Sequence, residues 1–157
     1  MIGKRIRLNV TDTIGNTPLV ELQSLKEITE AKVLAKLESF NPGLSIKDRV
    51  VRHMLYKTEE KGLIKPGDTI TEATSGNTGF SLAMIAAEKG YKCVVTVKDT
   101  VSRTKVTLME SFGAQVILCP ASAPPHSPNF YMNKAKQLAK EIPNAYYLNQ
   151  NDNPDNI

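Results

Sequence analysis

Short runs of β-branched and other apolar residues alternate along the chain with longer segments whose apolar positions recur every three or four residues. The first run, over residues 33–39, predicts a strand. Residues 45–61 follow with helical spacing: Ile46, Val50, Met54 and Leu55 fall on one face, and Gly62 stops the helix. The turn Lys65-Pro66-Gly67-Asp68 leads into a strand over 69–74. The alternation continues with a helix over 77–89 ended by Gly90, a strand over 92–97, a helix over 102–112 closed by Gly113 and a strand over 114–119. Beyond a proline-rich stretch from Ala121 to Pro128, a helix over 129–142 and a strand over 145–148 complete the series. That stretch reads as an ordered loop rather than a linker, because another helix–strand unit follows it.

Strands alternating with helices through short connections imply an α/β fold, a parallel sheet with helices on both faces, Rossmann-like and three-layered. The 157 residues suit a single domain, with residues 1–30 as an N-terminal arm and 31–150 as the αβ core. Composition leaves that picture unchanged: 41% hydrophobic and 23% charged residues are ordinary for a packed domain. It excludes a disordered, collagen-like or disulfide-scaffold chain. The formal net charge of +4 comes from cations interspersed with acids. The nearest basic cluster, Lys4-Arg5-Arg7, is too short for a nucleic-acid footprint, so no nucleic-acid partner is expected. Cys93 and Cys119 sit in apolar runs without CxxC spacing and read as buried thiols, and neither His53 nor His126 has metal-ligand neighbours. No secretory apolar region and no membrane-length apolar run appears, which makes a cytoplasmic location without a membrane partner the expectation.

Two loops carry candidate chemistry, each between the end of a strand and the start of a helix, where open parallel sheets bind ligands. In Thr74-Ser75-Gly76-Asn77-Thr78-Gly79, hydroxyls, an amide and two glycines meet at a helix start. Backbone N–H groups and the helix dipole there suit a carboxylate or phosphate, and the same residue types would equally serve as a helix cap. The loop is neither GxGxxG nor a P-loop, so no dinucleotide or nucleoside triphosphate is implied. In Asn41-Pro42-Gly43-Leu44-Ser45-Ile46-Lys47-Asp48-Arg49, Lys47 falls in the first turn of a helix. That position disfavours an ammonium, as covalent catalysis by lysine requires, and Asp48 and Arg49 beside it could orient it or pair with each other.

Together these two loops resemble the lysine motif and the substrate-carboxylate loop of the cysteine synthase and cystathionine β-synthase family, pyridoxal-phosphate-dependent enzymes of fold type II. Thr13-Ile-Gly-Asn-Thr-Pro-Leu-Val20, Gly62-Leu-Ile-Lys-Pro-Gly-Asp68 and Gly113-Ala-Gln-Val116 agree in order, so the resemblance covers essentially the whole chain. It implies pyridoxal 5′-phosphate as cofactor, with Lys47 as the lysine that carries it and later removes the substrate α-proton. It also implies Asn77 on the cofactor's 3′ oxygen, and Thr74, Ser75, Asn77, Thr78 and Gln150 on the carboxylate of an amino-acid substrate. The implied reaction is β-replacement on O-acetylserine or serine by sulfide or a thiol, in a homodimeric parent enzyme whose segment at about 90–130 is mobile. A serine/threonine ammonia-lyase type, or a non-catalytic partner-binding domain, are the alternatives. Leu44 stands where the family commonly has a second glycine, and Lys98-Asp99-Thr100-Val101-Ser102-Arg103-Thr104 keeps the serine of a family segment while changing its proline and glutamate. Family members continue into a second half with a Gly/Thr-rich phosphate loop. Only the N-terminal portion is expected here, with the C-terminal domain absent and the isolated chain weakly active or inactive.

Overall fold

A computed structural model describes residues 6–156; Lys4 and Arg5 of the basic cluster lie outside them. Four strands make one parallel sheet: β3 (Thr69–Ala73), β4 (Lys92–Lys98), β5 (Gln115–Cys119) and β6 (Ala145–Tyr147), in the spatial order β5-β4-β3-β6. The chain steps outward from β3 through β4 to β5 and then returns to the other side of β3. The order therefore reverses at β3, the kind of switch point at which such sheets form a crevice.

Alternation along the strands separates the two faces. The Thr71 and Thr96 hydroxyls donate to the carbonyls of Ala135 and Tyr131, at 3.1 and 2.6 Å, and so face helix α4 (Tyr131–Glu141). Val95, one residue earlier on β4, instead lies against Gly79 of helix α2 (Asn77–Lys89). Helix α3 (Arg103–Ser111) packs on β5 beside α2, and α1 (Lys47–Glu60) packs on α2 from outside. Helices thus cover both faces, as the sequence pattern implies. With neighbours on several sides, α2 buries Leu82, Ala83, Met84, Ile85 and Ala86, whereas α1 buries Asp48 at its start and then the stripe Val50, Val51, Met54, Leu55 and Thr58. Cys93 and Cys119 are free thiols inside the fold.

Two expectations need correction. The strand expected over 33–39 contributes β2 (Leu34–Lys36), which does not join the parallel sheet. It pairs antiparallel with β1 (Leu19–Glu21) in a separate two-stranded sheet that spans position 30, the expected boundary between arm and core. Hydrophobic spacing identifies a strand but not its partner. Ile46 does not share the buried face of α1: it precedes the helix as its N-cap and is 53% exposed. The proline-rich stretch is ordered by its own turns, with the Asn133 amide donating to Pro125 O and Ser127 O at 2.7 and 2.8 Å. Among the described residues, no helix is long and apolar enough to cross a membrane.

Candidate active site

The crevice at the end of β3 is built by two loops. The first begins at Asn41, which is buried and whose side-chain amide reaches Glu38 Oε2 at 2.8 Å and Ser45 O at 3.1 Å, while its Oδ1 accepts from Gly15 N at 2.9 Å. Arg49 grips Glu38 with two bonds, Nε at 2.8 Å and Nη2 at 3.1 Å, and also reaches the Thr17 hydroxyl. The Arg49 guanidinium holds the Glu38 carboxyl down at about 2. Asp48 turns the other way and accepts from Gly43 N and from Ser81 Oγ on α2, both at 2.5 Å. Asp48 and Arg49 therefore do not pair with each other. They anchor the loop on two sides, and Lys47 emerges between them as the first residue of α1.

Leu44 in this loop has φ 59°, the left-handed region that suits glycine, and is 71% exposed. The backbone thus keeps the shape of a second glycine while carrying a leucine.

The second loop ends β3 and opens α2. Gly76 is the N-cap at φ 153°, and no side chain of the loop caps the helix. The Thr74 hydroxyl accepts from Gly76 N at 3.1 Å instead. Of the two readings of this loop, the cap is thus not realised, and the first amides of α2 stay open toward the crevice. A Cβ at Gly76 would collide with the far end of the Lys105 side chain, with Nζ at 2.7 Å and Cδ at 2.8 Å, which reaches across the loop from α3.

Lys47, Thr74, Ser75, Asn77, Thr78 and Gln150 all line one cavity of about 350 Å³. The structure brings together every site residue singled out in the sequence. Lys105 and Tyr131 also border the cavity, and its lining holds two lysines and no carboxylate. Sequence reading missed both, because they come from the heads of α3 and α4 and meet the loop only through the fold. Their positions at helix starts after β4 and β5 were the available signal. Gln150 reaches the cavity with its amide engaged: Nε2 donates to Ala73 O at 3.0 Å and Oε1 accepts from Thr78 Oγ1 at 2.7 Å. The departing segment 98–104 lies next to Ser75, where Lys98, Thr100, Val101, Ser102 and Lys105 wall a smaller cavity of about 270 Å³.

Comparisons with known proteins bear on the family and the fold. Residues 10–157 match the model of a family described as pyridoxal-phosphate dependent enzyme. The chain is 44% identical over 153 residues to cystathionine beta-synthase of Dictyostelium discoideum, covering 98% of this chain and 31% of that protein. It is 45% identical over 152 residues to a probable cysteine synthase of Bacillus subtilis, covering 97% and 48%. Among solved structures, O-ureido-L-serine synthase superposes with a TM-score of 0.85 at 41% identity, covering 96% of this chain and 46% of that one. The chain thus spans between about a third and a half of the length of these relatives.

Proposed function

Because the chain belongs to the family of pyridoxal-phosphate-dependent enzymes, we propose that it supplies the lysine and the carboxylate site of a β-replacement enzyme. The substrates of that enzyme would be O-acetylserine or serine, with sulfide or a thiol as the incoming group. The observation that carries this reading is that Lys47 and the open head of α2 meet in one cavity whose lining has no carboxylate.

The residues fit one end of the cofactor. Lys47 brings a primary amine, Asn77 a neutral amide for the 3′ oxygen, and the second lysine, Lys105, favours an anionic occupant. Bound there, pyridoxal phosphate supplies the electron sink for chemistry at the α-carbon of an amino acid. The chain supplies orientation and proton transfer. In this reading the hydroxyls of Thr74, Ser75 and Thr78, the Asn77 amide and the first N–H groups of α2 bind the substrate carboxylate, with Gln150 completing the wall. Fixing the carboxylate turns the Cα–H bond toward Lys47, whose Nζ takes the proton. The same head of α2 is the main anion-binding element of this cavity. With that element given to the substrate, residues 1–157 by themselves are expected to hold the cofactor weakly.

The test traps the lysine. The protein is incubated with excess pyridoxal phosphate, reduced with borohydride and digested. Label on the peptide containing Lys47, absent from Lys47→Ala, is the expected result. Label distributed over surface lysines and unchanged in the variant overturns the reading. For the whole protein, sulfide-dependent consumption of O-acetylserine, rather than ammonia release from serine, separates β-replacement from the ammonia-lyase type.

A further inference from the structure

Glu72 has no part in the chemistry above, yet it is a carboxylate with 0% exposure directly beneath the cavity. It sits on β3 where the sheet pairing runs out. β6 pairs with β3 from Thr69 to Thr71, and Leu148 N still donates to Thr71 O at 3.0 Å. Beyond that point the side chain of Glu72 replaces the backbone ladder. Its Oε2 accepts from Gln150 N at 3.1 Å and its Oε1 from Ala73 N at 2.9 Å. Asn149 has φ 53°, a left-handed turn that brings the Gln150 amide onto this carboxylate. After this turn the Gln150 side chain folds back over the end of β3, with Nε2 3.5 Å from Glu72 Oε1 and its carbonyl on Thr78.

We propose that Glu72 is a positioning residue of the site: from below, its carboxylate holds the turn at Asn149 and Gln150 and so decides how the Gln150 amide and the Thr78 hydroxyl face a bound carboxylate. The inference rests on reading the cavity as a carboxylate site. Burial pushes the Glu72 carboxyl up to about 7, so the clamp changes its charge near neutrality. The groups facing it do not titrate in that range: Cys93 on β4 is pushed up to about 12, chiefly by burial, and Tyr147 on β6 is raised for the same reason. From α1, Asp48 is taken up by Gly43 and Ser81, and Lys47 opens into the cavity. Loss of the Glu72 charge weakens the acceptor for the Ala73 amide and for both the backbone and side-chain amides of Gln150, and loosens the turn.

Nuclear magnetic resonance on the whole protein tests this, following the Glu72 carboxyl carbon and the backbone and side-chain amides of Gln150 between about pH 5 and 9. The Gln150 signals are expected to move with the midpoint of Glu72, and in Glu72→Gln to lose that pH dependence. Propionate, a carboxylate without an amino group, is expected to bind the variant about tenfold more weakly, the worth of one hydrogen bond. Gln150 signals that follow neither the pH nor the substitution overturn the proposal. If Glu72→Gln does not fold, the pH series on the unmodified protein decides alone. Failure of the unmodified protein to bind propionate overturns the carboxylate-site reading, whereas Gln150 signals indifferent to Glu72 overturn only the positioning role of Glu72.

Discussion

Leu44 and Asp48 set opposing demands on the loop that carries Lys47. A non-glycine residue in the left-handed region costs about 1–2 kcal/mol, and glycine returns about 0.4–1 kcal/mol of that through the entropy of the unfolded chain. Leu44→Gly is therefore expected to raise stability by up to about 1.6 kcal/mol, seen as a higher urea midpoint at unchanged slope. Asp48 works the other way. Its fully buried carboxylate satisfies Gly43 N and Ser81 Oγ, and Asp48→Ala leaves the Gly43 N–H without an acceptor while Ser81 Oγ keeps only its bond to Asn77 O at 3.0 Å. A loss of about 1–3 kcal/mol is expected, read from the same urea experiment. Since Asp48 ties the lysine loop to α2, the variant should also lose borohydride-trapped cofactor at Lys47.

At the scale of elements, α2 shows how tightly the site is built into the packing. Gly79 lies in its first turn, and alanine there would gain about 1 kcal/mol of helix propensity. The new Cβ, however, would stand 2.6 Å from Met109 Sδ, 2.7 Å from Thr74 Cγ2 and 3.1 Å from Val95 Cγ1. Overpacking of this kind costs about 1–3 kcal/mol. Gly79→Ala is expected to lower the melting temperature and, because Thr74 is the residue displaced, to weaken propionate binding. The four helices and the core strands were legible in the sequence because periodicity and stop signals coincide: Gly62, Gly90 and Gly113 all have positive φ just past helix ends. The pairing of β1 with β2 was not legible, since it depends on which strand finds which. The site divides along the same line. Lys47 and residues 74–78 lie in contiguous motifs, whereas Lys105, Tyr131 and Glu72 gain their places only when separate elements meet.

For the whole molecule, two carboxyl groups pull stability in opposite directions with pH. Glu38, held near 2 against an ordinary 4.5, stabilises above pH 4.5, and that contribution disappears as pH falls toward 2. Glu72, raised from 4.5 to about 7, favours the folded state below pH 4.5, and its contribution is lost as pH rises through 7. Between about pH 4.5 and 7 the folded protein binds the extra proton, so Glu72 lowers stability with rising pH there. Melting temperatures measured across this range should lose the acid limb in Glu38→Gln and flatten between about 4.5 and 7 in Glu72→Gln.

The place of β6 in the sheet also gives the molecule a history. Glu72 and Gln150 are 78 residues apart in sequence, and their meeting requires β6 to come back past β4 and β5 and settle on the open side of β3. Closing so long a loop is entropically slow, while β3, β4 and β5 join through shorter connections with α2 and α3 between them. The crevice is thus expected to be finished by the last segment to dock. In pulse-labelled refolding, the Gln150 amide should gain protection from exchange after the amides of β4, and binding of propionate should appear only in that final phase.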